Sequence, residues 1–210
     1  MLNRKEAILN LLNIHKYLRR GMIQQELFTI PSGERRCQIL LQKMVKQRLI
    51  NRFRLDSREQ YIYHLEKRSQ KWQHWLMIND FHFALKRRLK SGQELLFWRL
   101  EYRYPYGQSD GLYAVKTGPS GGVLFFLEVD DGANGFDKVS NYEKYFLGRQ
   151  WTKEPWADPL GKGRATFPLI LVITPRPEEI KALADTRAVR TTWKVISPEE
   201  TERFVASICT

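Results

Sequence analysis

Two stretches decide the fold of the second half of this chain: Ser109-Asp110-Gly111-Leu-Tyr-Ala-Val-Lys116 and Val123-Leu-Phe-Phe-Leu-Glu128-Val129-Asp130. Both are typical of β-strands, and the Gly-Pro-Ser-Gly-Gly segment at 118–122 predicts a hairpin turn between them. A hairpin would bring the three acidic side chains together at one edge of a sheet. Carboxylates on rigid strands suit a hard divalent cation such as Mg²⁺ or Mn²⁺, with a phosphate completing the shell. The pattern predicts a metal site formed by Asp110, Glu128 and Asp130.

The segments around this hairpin predict a mixed sheet flanked by helices, in the α/β (α+β) class. A further strand is expected over Glu94–Arg103, and the apolar run Phe167–Ile173 is typical of a strand buried on both faces. Helices are expected over Phe136–Leu147, from Pro177 to Ala188, and from Pro198 with Ser197 as its cap.

The overall composition predicts a globular protein rather than a disordered tail. Of the 210 residues, 42% are apolar and 28% are charged. No run approaches the roughly 18 apolar residues of a membrane span, and no secretory h-region follows the first residues. With only two cysteines, Cys37 and Cys209, neither a disulfide framework nor a thiolate metal site is expected. We therefore expect a cytoplasmic protein without a membrane partner.

The basic charge is concentrated in the first half of the chain. Residues 1–100 contain 21 Lys and Arg and 8 Asp and Glu, whereas residues 101–210 contain 14 and 15. Such asymmetry predicts that the first half binds a polyanion. The alternative is a basic surface that only aids solubility.

The first 65 residues have the order of a winged helix-turn-helix. Helical periodicity covers 3–19, a short helix is expected at 22–28, and a third helix through Gln47 is expected to be capped by Ser32. Two alternating segments, 49–55 and 60–65, predict a hairpin. In this arrangement the third helix enters the major groove of duplex DNA and the hairpin contacts the backbone.

The expected DNA contacts follow from that arrangement. Arginine and glutamine offer bidentate geometry to base edges, and basic residues in the hairpin suit phosphates. The predicted DNA-binding residues are Ser32, Arg35, Arg36, Gln38, Lys43, Arg52, Arg54 and Arg58. The alternative is a winged helix that binds protein, with its charges merely solvated.

A longer helix is expected over Lys71–Lys90 as the connector that opens the second half. The sequence therefore predicts two domains, 1–68 and 69–210. A homodimer on palindromic DNA is one possibility, although no coiled-coil heptads are present.

The motifs of the second domain resemble those of PD-(D/E)XK nucleases. More narrowly, the chain resembles the replication-relaxation family of bacterial plasmids and mobile elements, which places a winged helix before a degenerate nuclease-like domain. The matching motifs are Ser109-Asp110-Gly111, Glu128-Val129-Asp130-Asp131-Gly132 and Lys138-Val-Ser-Asn-Tyr142. This resemblance implies that residues 69–210 form a PD-(D/E)XK-like domain, with Asp110, Glu128, Asp130 and Lys138 as its catalytic residues.

Two departures from the family pattern bear on activity. Ser109 replaces a proline, and Asp130 stands where such nucleases carry the lysine that positions or activates the attacking water. Either Lys138 or Lys144 could supply that charge from the following helix. The acids could instead bind metal without a lysine, with Glu94 or Glu101 completing the shell, or the fold could persist as an inactive scaffold.

These observations lead to three hypotheses of function. The first is a DNA-binding protein of a plasmid or mobile element, acting in replication, in DNA relaxation or transfer, or in their control. The second is a Mg²⁺- or Mn²⁺-dependent DNA endonuclease or nickase. The third is a non-catalytic module that recruits a replication or transfer protein, with the loop around Trp151–Trp156 as the contact.

Overall fold

The computed structural model describes residues 3–119, 121–132, 136–159, 161, 163–186 and 192–209. These residues form two compact units, Met1–Phe83 and Ala84–Thr210. The predicted hairpin turn and the predicted helix from Pro177 both include residues outside the described ranges, namely 120 and 187–188.

The N-terminal unit combines helices with a small antiparallel sheet. Its elements in chain order are α1 (Arg4–His15), β1 (Leu18–Arg19), α2 (Arg20–Leu27), α3 (Gly33–Lys46), β2 (Asn51–Phe53) and β3 (Ile62–His64), followed by α4 (Trp72–Arg88). The three strands are ordered β1-β3-β2. The predicted hairpin is confirmed, since β2 pairs with β3, although its strands are shorter than the alternation suggested.

The first helix is shorter than the predicted span of 3–19, and the chain after it forms a strand. Asn3 and Glu6 make a capping box at the start of α1, and Lys16 ends it with φ of 61°. Leu18, fully buried, then pairs with Tyr63 of β3. The helical spacing of Leu18 is fortuitous, because its burial comes from the sheet.

The third helix has the predicted inward stripe. Cys37, Leu41 and Met44 are fully buried in the core of this unit. Ser32 precedes the helix but makes no side-chain capping hydrogen bond. At Gly33 a Cβ atom would overlap the carbonyl oxygen of Phe28, so only glycine fits where α3 begins.

Helix α4 crosses the division between the units. Trp72, Leu76 and Phe83 belong to the apolar core of the N-terminal unit. The structural division therefore falls after Phe83, 15 residues beyond the predicted boundary at 68/69.

The C-terminal unit is built on a five-stranded mixed sheet, as expected. Its strands are β4 (Glu94–Tyr104), β5 (Gly107–Lys116), β6 (Gly122–Val129), β7 (Leu169–Ile173) and β8 (Trp193–Ile196), in spatial order β4-β5-β6-β7-β8. The first two pairings are antiparallel and the last two are parallel. The helices are α5 (Val139–Gly148), α6 (Pro177–Asp185) and α7 (Thr201–Ile208).

One apolar core lies on the face of this sheet that carries Phe126, Ile170 and Val172, with Tyr142 and Tyr145 of α5 packed against it. The predicted capping role of Ser197 is confirmed by its capping box with Glu200 ahead of α7. Within the described ranges, no helix has the length and apolar character needed to cross a bilayer.

Candidate functional site

Two carboxylates meet where β5 and β6 lie side by side. The register pairs Gly111 with Leu127, which brings Asp110 and Glu128 opposite each other on neighbouring strands. Asp110 Oδ2 accepts a hydrogen bond of 2.7 Å from the backbone N–H of Val129. A Cβ atom at Gly111 would lie 2.6 Å from the Tyr113 ring, so the glycine after Asp110 allows this close packing. The predicted convergence of Asp110 and Glu128 is thus observed.

Helix α5 adds a cation and a hydroxyl to this carboxylate pair. Lys138, immediately before the helix, has its Nζ on Glu128 Oε2 and 3.6 Å from Asp110 Oδ1. Four residues later, the Tyr142 hydroxyl donates to Glu128 Oε1. Because residues four apart share a helix face, α5 presents both groups to the same carboxylate. Both oxygens of Glu128 therefore have a donor.

Glu128 has an unusual electrostatic position for an acidic residue. Its side chain is 0% exposed, against 13% for Asp110 and 30% for Lys138. Burial, reinforced by the charge of Asp110, raises the pKa of Glu128 to about 8 although Lys138 and Tyr142 act in the opposite direction. Burial opposes the charge on Lys138, but the two carboxylates outweigh it and raise the pKa of that amine.

Asp130 belongs to a different cluster, so the predicted three-carboxylate site is not formed. Its Oδ2 accepts hydrogen bonds from Thr174 Oγ1 at 2.7 Å and from Arg176 Nη2 at 3.1 Å. Its Oδ1 accepts from the N–H of Gly132 at 3.0 Å. Among the residues that the structure describes, no three His, Cys, Asp or Glu side chains could hold a metal ion together.

Asp110 and Glu128 alone still fit one kind of metal site. Mg²⁺ commonly takes one or two carboxylates from the protein and completes its shell with water and phosphate oxygens. The donor types therefore suit Mg²⁺ or Mn²⁺. The ammonium of Lys138 contacts the same oxygens, so a bound cation would compete with it.

Sequence reasoning did not identify Thr174 and Arg176 as neighbours of Asp130. The available signal was the parallel pairing of β6 and β7, because residues that follow parallel strands meet at the same edge. Of the two further acids considered for the shell, Glu94 pairs with Lys116 at the far end of β5. Glu101 lies between the ladder pairs Leu100–Gly111 and Tyr102–Ser109 and has φ of 50°.

The predicted DNA-binding residues all lie on the surface of the N-terminal unit. We call the outer side of α3 together with the β2–β3 hairpin the α3–hairpin surface. Its predicted members Ser32, Arg35, Arg36, Gln38, Lys43, Arg52, Arg54 and Arg58 are all exposed. Within the described chain, none of its basic side chains is paired with a carboxylate.

A groove of about 280 Å³ separates α3 from the hairpin. Gln38, Arg52 and Arg58 line it, whereas the other predicted contacts lie outside it. Arg52 and Arg54 stack on the Tyr61 ring, with guanidinium carbons 4.1 and 5.0 Å from its centroid. The groove is also lined by residues that the sequence did not single out for DNA contact, namely Arg20, Gln42, Glu59, Gln60, Tyr61 and Tyr63.

The loop proposed to recruit a partner has its tryptophans turned inward. Trp151 and Trp156 are buried in the core of the C-terminal unit, where Trp151 packs edge-on against Phe167. Neither indole is therefore exposed enough to act as a docking surface for a partner protein.

No protein-family model, curated protein or solved structure matches this chain.

Proposed function

We propose that this chain is a cytoplasmic DNA-binding protein of a bacterial plasmid or mobile element, acting in replication, DNA relaxation or transfer, or their control. Its N-terminal unit would bind duplex DNA as a winged helix-turn-helix. The element order α1-β1-α2-α3-β2-β3, with the small sheet ordered β1-β3-β2, supports this assignment. The motif resemblance to the replication-relaxation family supplies the biological context.

The observation that carries the proposal is the cationic α3–hairpin surface. Arg35 and Gln42, seven residues apart, lie on one side of α3, and Gln38 and Gln42 reach the groove. On the opposite wall, Arg52 and Arg58 are exposed. Arginine and glutamine on a helix suit base edges, whereas exposed arginines in a hairpin suit phosphates.

Salt dependence of duplex binding tests this proposal. The affinity of the full chain for a labelled 30-base-pair duplex is measured by fluorescence anisotropy across a range of KCl concentrations. Each phosphate contact contributes about 0.9 to the slope of log affinity against log salt. If Arg52 and Arg58 each contact one phosphate, replacing both with alanine makes this negative slope less steep by about two.

Lys71→Ala provides the matched control, because it removes an exposed positive charge of the same unit outside the groove. This variant is expected to keep the wild-type slope. A loss per removed charge that is equal in the control and the double variant would indicate diffuse charge attraction. Absence of duplex binding at low salt would refute the proposal.

A metal-dependent DNA endonuclease is a second candidate function, favoured by the contact of Lys138 with both Asp110 and Glu128. The order α4-β4-β5-β6-α5-β7 supports a PD-(D/E)XK-like assignment of the C-terminal unit. In such enzymes a lysine lies beside two carboxylates. Here Lys138 would provide that amine from the start of α5, since Asp130 occupies the usual position.

Each residue would have a distinct role in such a site. Asp110 and Glu128 would hold Mg²⁺ or Mn²⁺, which supplies Lewis-acid chemistry when bound. Lys138 would hold a water or a phosphate oxygen through its ammonium. Tyr142 would fix the Glu128 carboxyl by its hydroxyl hydrogen bond.

Nicking of supercoiled plasmid tests the second candidate. Wild-type protein is incubated with Mg²⁺, Mn²⁺ or EDTA beside Glu128→Gln, Lys138→Met and the control Glu94→Gln, which alters an exposed carboxylate of the same sheet. Metal-dependent nicking retained by the control and lost in the other two variants supports an enzyme. Duplex binding without nicking would leave the C-terminal unit as a non-catalytic module that recruits a replication or transfer protein.

A further inference from the structure

The C-terminal unit contains an open pocket of about 370 Å³ beside the edge strand β4. It is lined by Phe97, Trp98, Arg99, Tyr102, Leu112, Glu154, Pro155 and Trp156. Aromatic walls with a few polar groups are typical of sites for planar organic ligands. Asp110, Glu128 and Lys138 do not line it.

The aromatic walls are fixed by the core behind them. Tyr102, Leu112 and Trp156 are buried, and Trp156 Nε1 donates a 2.8 Å hydrogen bond to the Tyr102 hydroxyl. Their rings meet edge to face, with centroids 6.2 Å apart. Phe97 and Trp98 remain partly exposed. A flat ligand would therefore meet a rigid aromatic surface at little ordering cost.

A carboxylate and a guanidinium lie beside this aromatic wall. Glu154 Oε2 accepts a 3.3 Å hydrogen bond from the Tyr102 hydroxyl, and Arg99 Cζ lies 5.9 Å from the Tyr102 ring centroid. Within the described ranges, neither Arg99 nor Glu154 belongs to an ion pair. The pocket thus offers an anionic acceptor and a cationic donor to one ligand.

We infer that this pocket binds a guanine base. Guanine carries adjacent N1–H and N2–H₂ donors that match the two oxygens of a carboxylate such as Glu154. It also carries the O6 and N7 acceptors that suit a guanidinium such as Arg99. Adenine lacks this pairing of donors and acceptors, and either base would stack on the aromatic side chains.

The guanine could come from an unpaired position of a nucleic acid strand or from a free nucleotide, since both present the same base. This inference goes beyond the proposed duplex binding and does not depend on it. The pocket belongs to the C-terminal unit, whereas the α3–hairpin surface belongs to the N-terminal unit. The double variant Arg52→Ala/Arg58→Ala is therefore expected to keep guanine binding.

Tryptophan fluorescence of the full chain tests the inference, because Trp98 and Trp156 line the pocket. Quenching is titrated with dGMP and dAMP. Anisotropy is measured on two labelled single-stranded oligothymidylates that differ only in one central dG or dA. We expect roughly tenfold preference for guanine, from the charged hydrogen bonds that adenine cannot make.

Glu154→Gln should abolish this preference by replacing the carboxylate with an amide of the same shape. Glu94→Gln, which alters a carboxylate on β4 outside the pocket, should preserve it. Preference in both dGMP and the oligonucleotide supports a site for the base alone, and preference in the oligonucleotide only assigns it to a strand. Equal binding of guanine and adenine, no binding, or a preference unchanged in Glu154→Gln would overturn the inference.

Discussion

Replacing Glu128 with glutamine should change the stability of the C-terminal unit in opposite directions at low and high pH. Burial and the neighbouring Asp110 raise the pKa of Glu128 from 4.5 to about 8. An acid whose pKa is higher in the folded state than in the unfolded state contributes to stability, and this contribution is complete at pH values below the unfolded-state pKa. This contribution is lost as pH rises through the folded value, here between about 4.5 and 8.

The size of the effect follows from the shift. Each pKa unit corresponds to about 1.4 kcal/mol, so ionising Glu128 in the fold costs at most about 5 kcal/mol. Glutamine does not ionise and removes this cost. We expect Glu128→Gln to be about 1 kcal/mol less stable than wild type at pH 5, because one hydrogen bond to Lys138 or Tyr142 is lost. At pH 9 it should be about 3 kcal/mol more stable.

Urea unfolding in EDTA at pH 5, 7 and 9 measures this difference. Intrinsic fluorescence is a suitable signal, since Trp98, Trp151, Trp156 and Trp193 belong to this unit. Glu94→Gln removes an exposed carboxylate and should show no crossing. The reasoning is refuted if Glu128→Gln is more destabilising at pH 9 than at pH 5. That result would mean that Lys138 stabilises an ionised Glu128 and lowers its pKa.

Three further predictions concern the N-terminal unit. Gly33→Ala should destabilise it by about 2–3 kcal/mol in thermal unfolding, because the new Cβ overlaps the Phe28 carbonyl oxygen. The control Gly21→Ala should be neutral or stabilising, because its Cβ meets no atom closer than 3.5 Å. Asn79→Ala should cost about 2–4 kcal/mol in urea unfolding, since the buried Asn79 side chain donates hydrogen bonds to the carbonyl oxygens of His15 and Tyr17. The control Asn13→Ala, at an exposed position, should cost under about 0.5 kcal/mol. Equal losses of stability in Gly33→Ala and Gly21→Ala, or in Asn79→Ala and Asn13→Ala, would contradict the reasons given. Burial raises the pKa of the Cys37 thiol to about 11. A disulfide reagent at pH 8 should therefore modify Cys37 only as fast as the unit unfolds. Immediate reaction of the native protein at both cysteines would contradict this expectation.

Elements with a strong local sequence pattern could be predicted from the sequence. The helical spacing of apolar residues predicts the buried stripe of α3, and the unbroken apolar run predicts β7. Strand β1 has only two residues and no period of its own. It exists because Leu18 and Arg19 pair with β3, a long-range contact that no local pattern records.

The candidate site was predictable to the extent that it lies on one hairpin. The turn composition and the strand lengths predict that Asp110 and Glu128 lie close together. The position of Asp130 could not be predicted in this way, because its partner Thr174 follows β7, a strand 40 residues away in sequence. The sequence analysis names Lys138 as the catalytic lysine and Lys144 as an alternative. In α5, Tyr142 shares the face of Lys138, and Lys144 is exposed.

The separation of Asp130 from Asp110 and Glu128 has a consequence for charge neutrality. Lys138 contacts Asp110 and Glu128, whereas Arg176 contacts Asp130 and Glu179. Each of these two cations is thus shared by two carboxyl groups, and the two groups of charges are balanced separately. A cation that displaced Lys138 from Glu128 would therefore leave the contact between Asp130 and Arg176 in place.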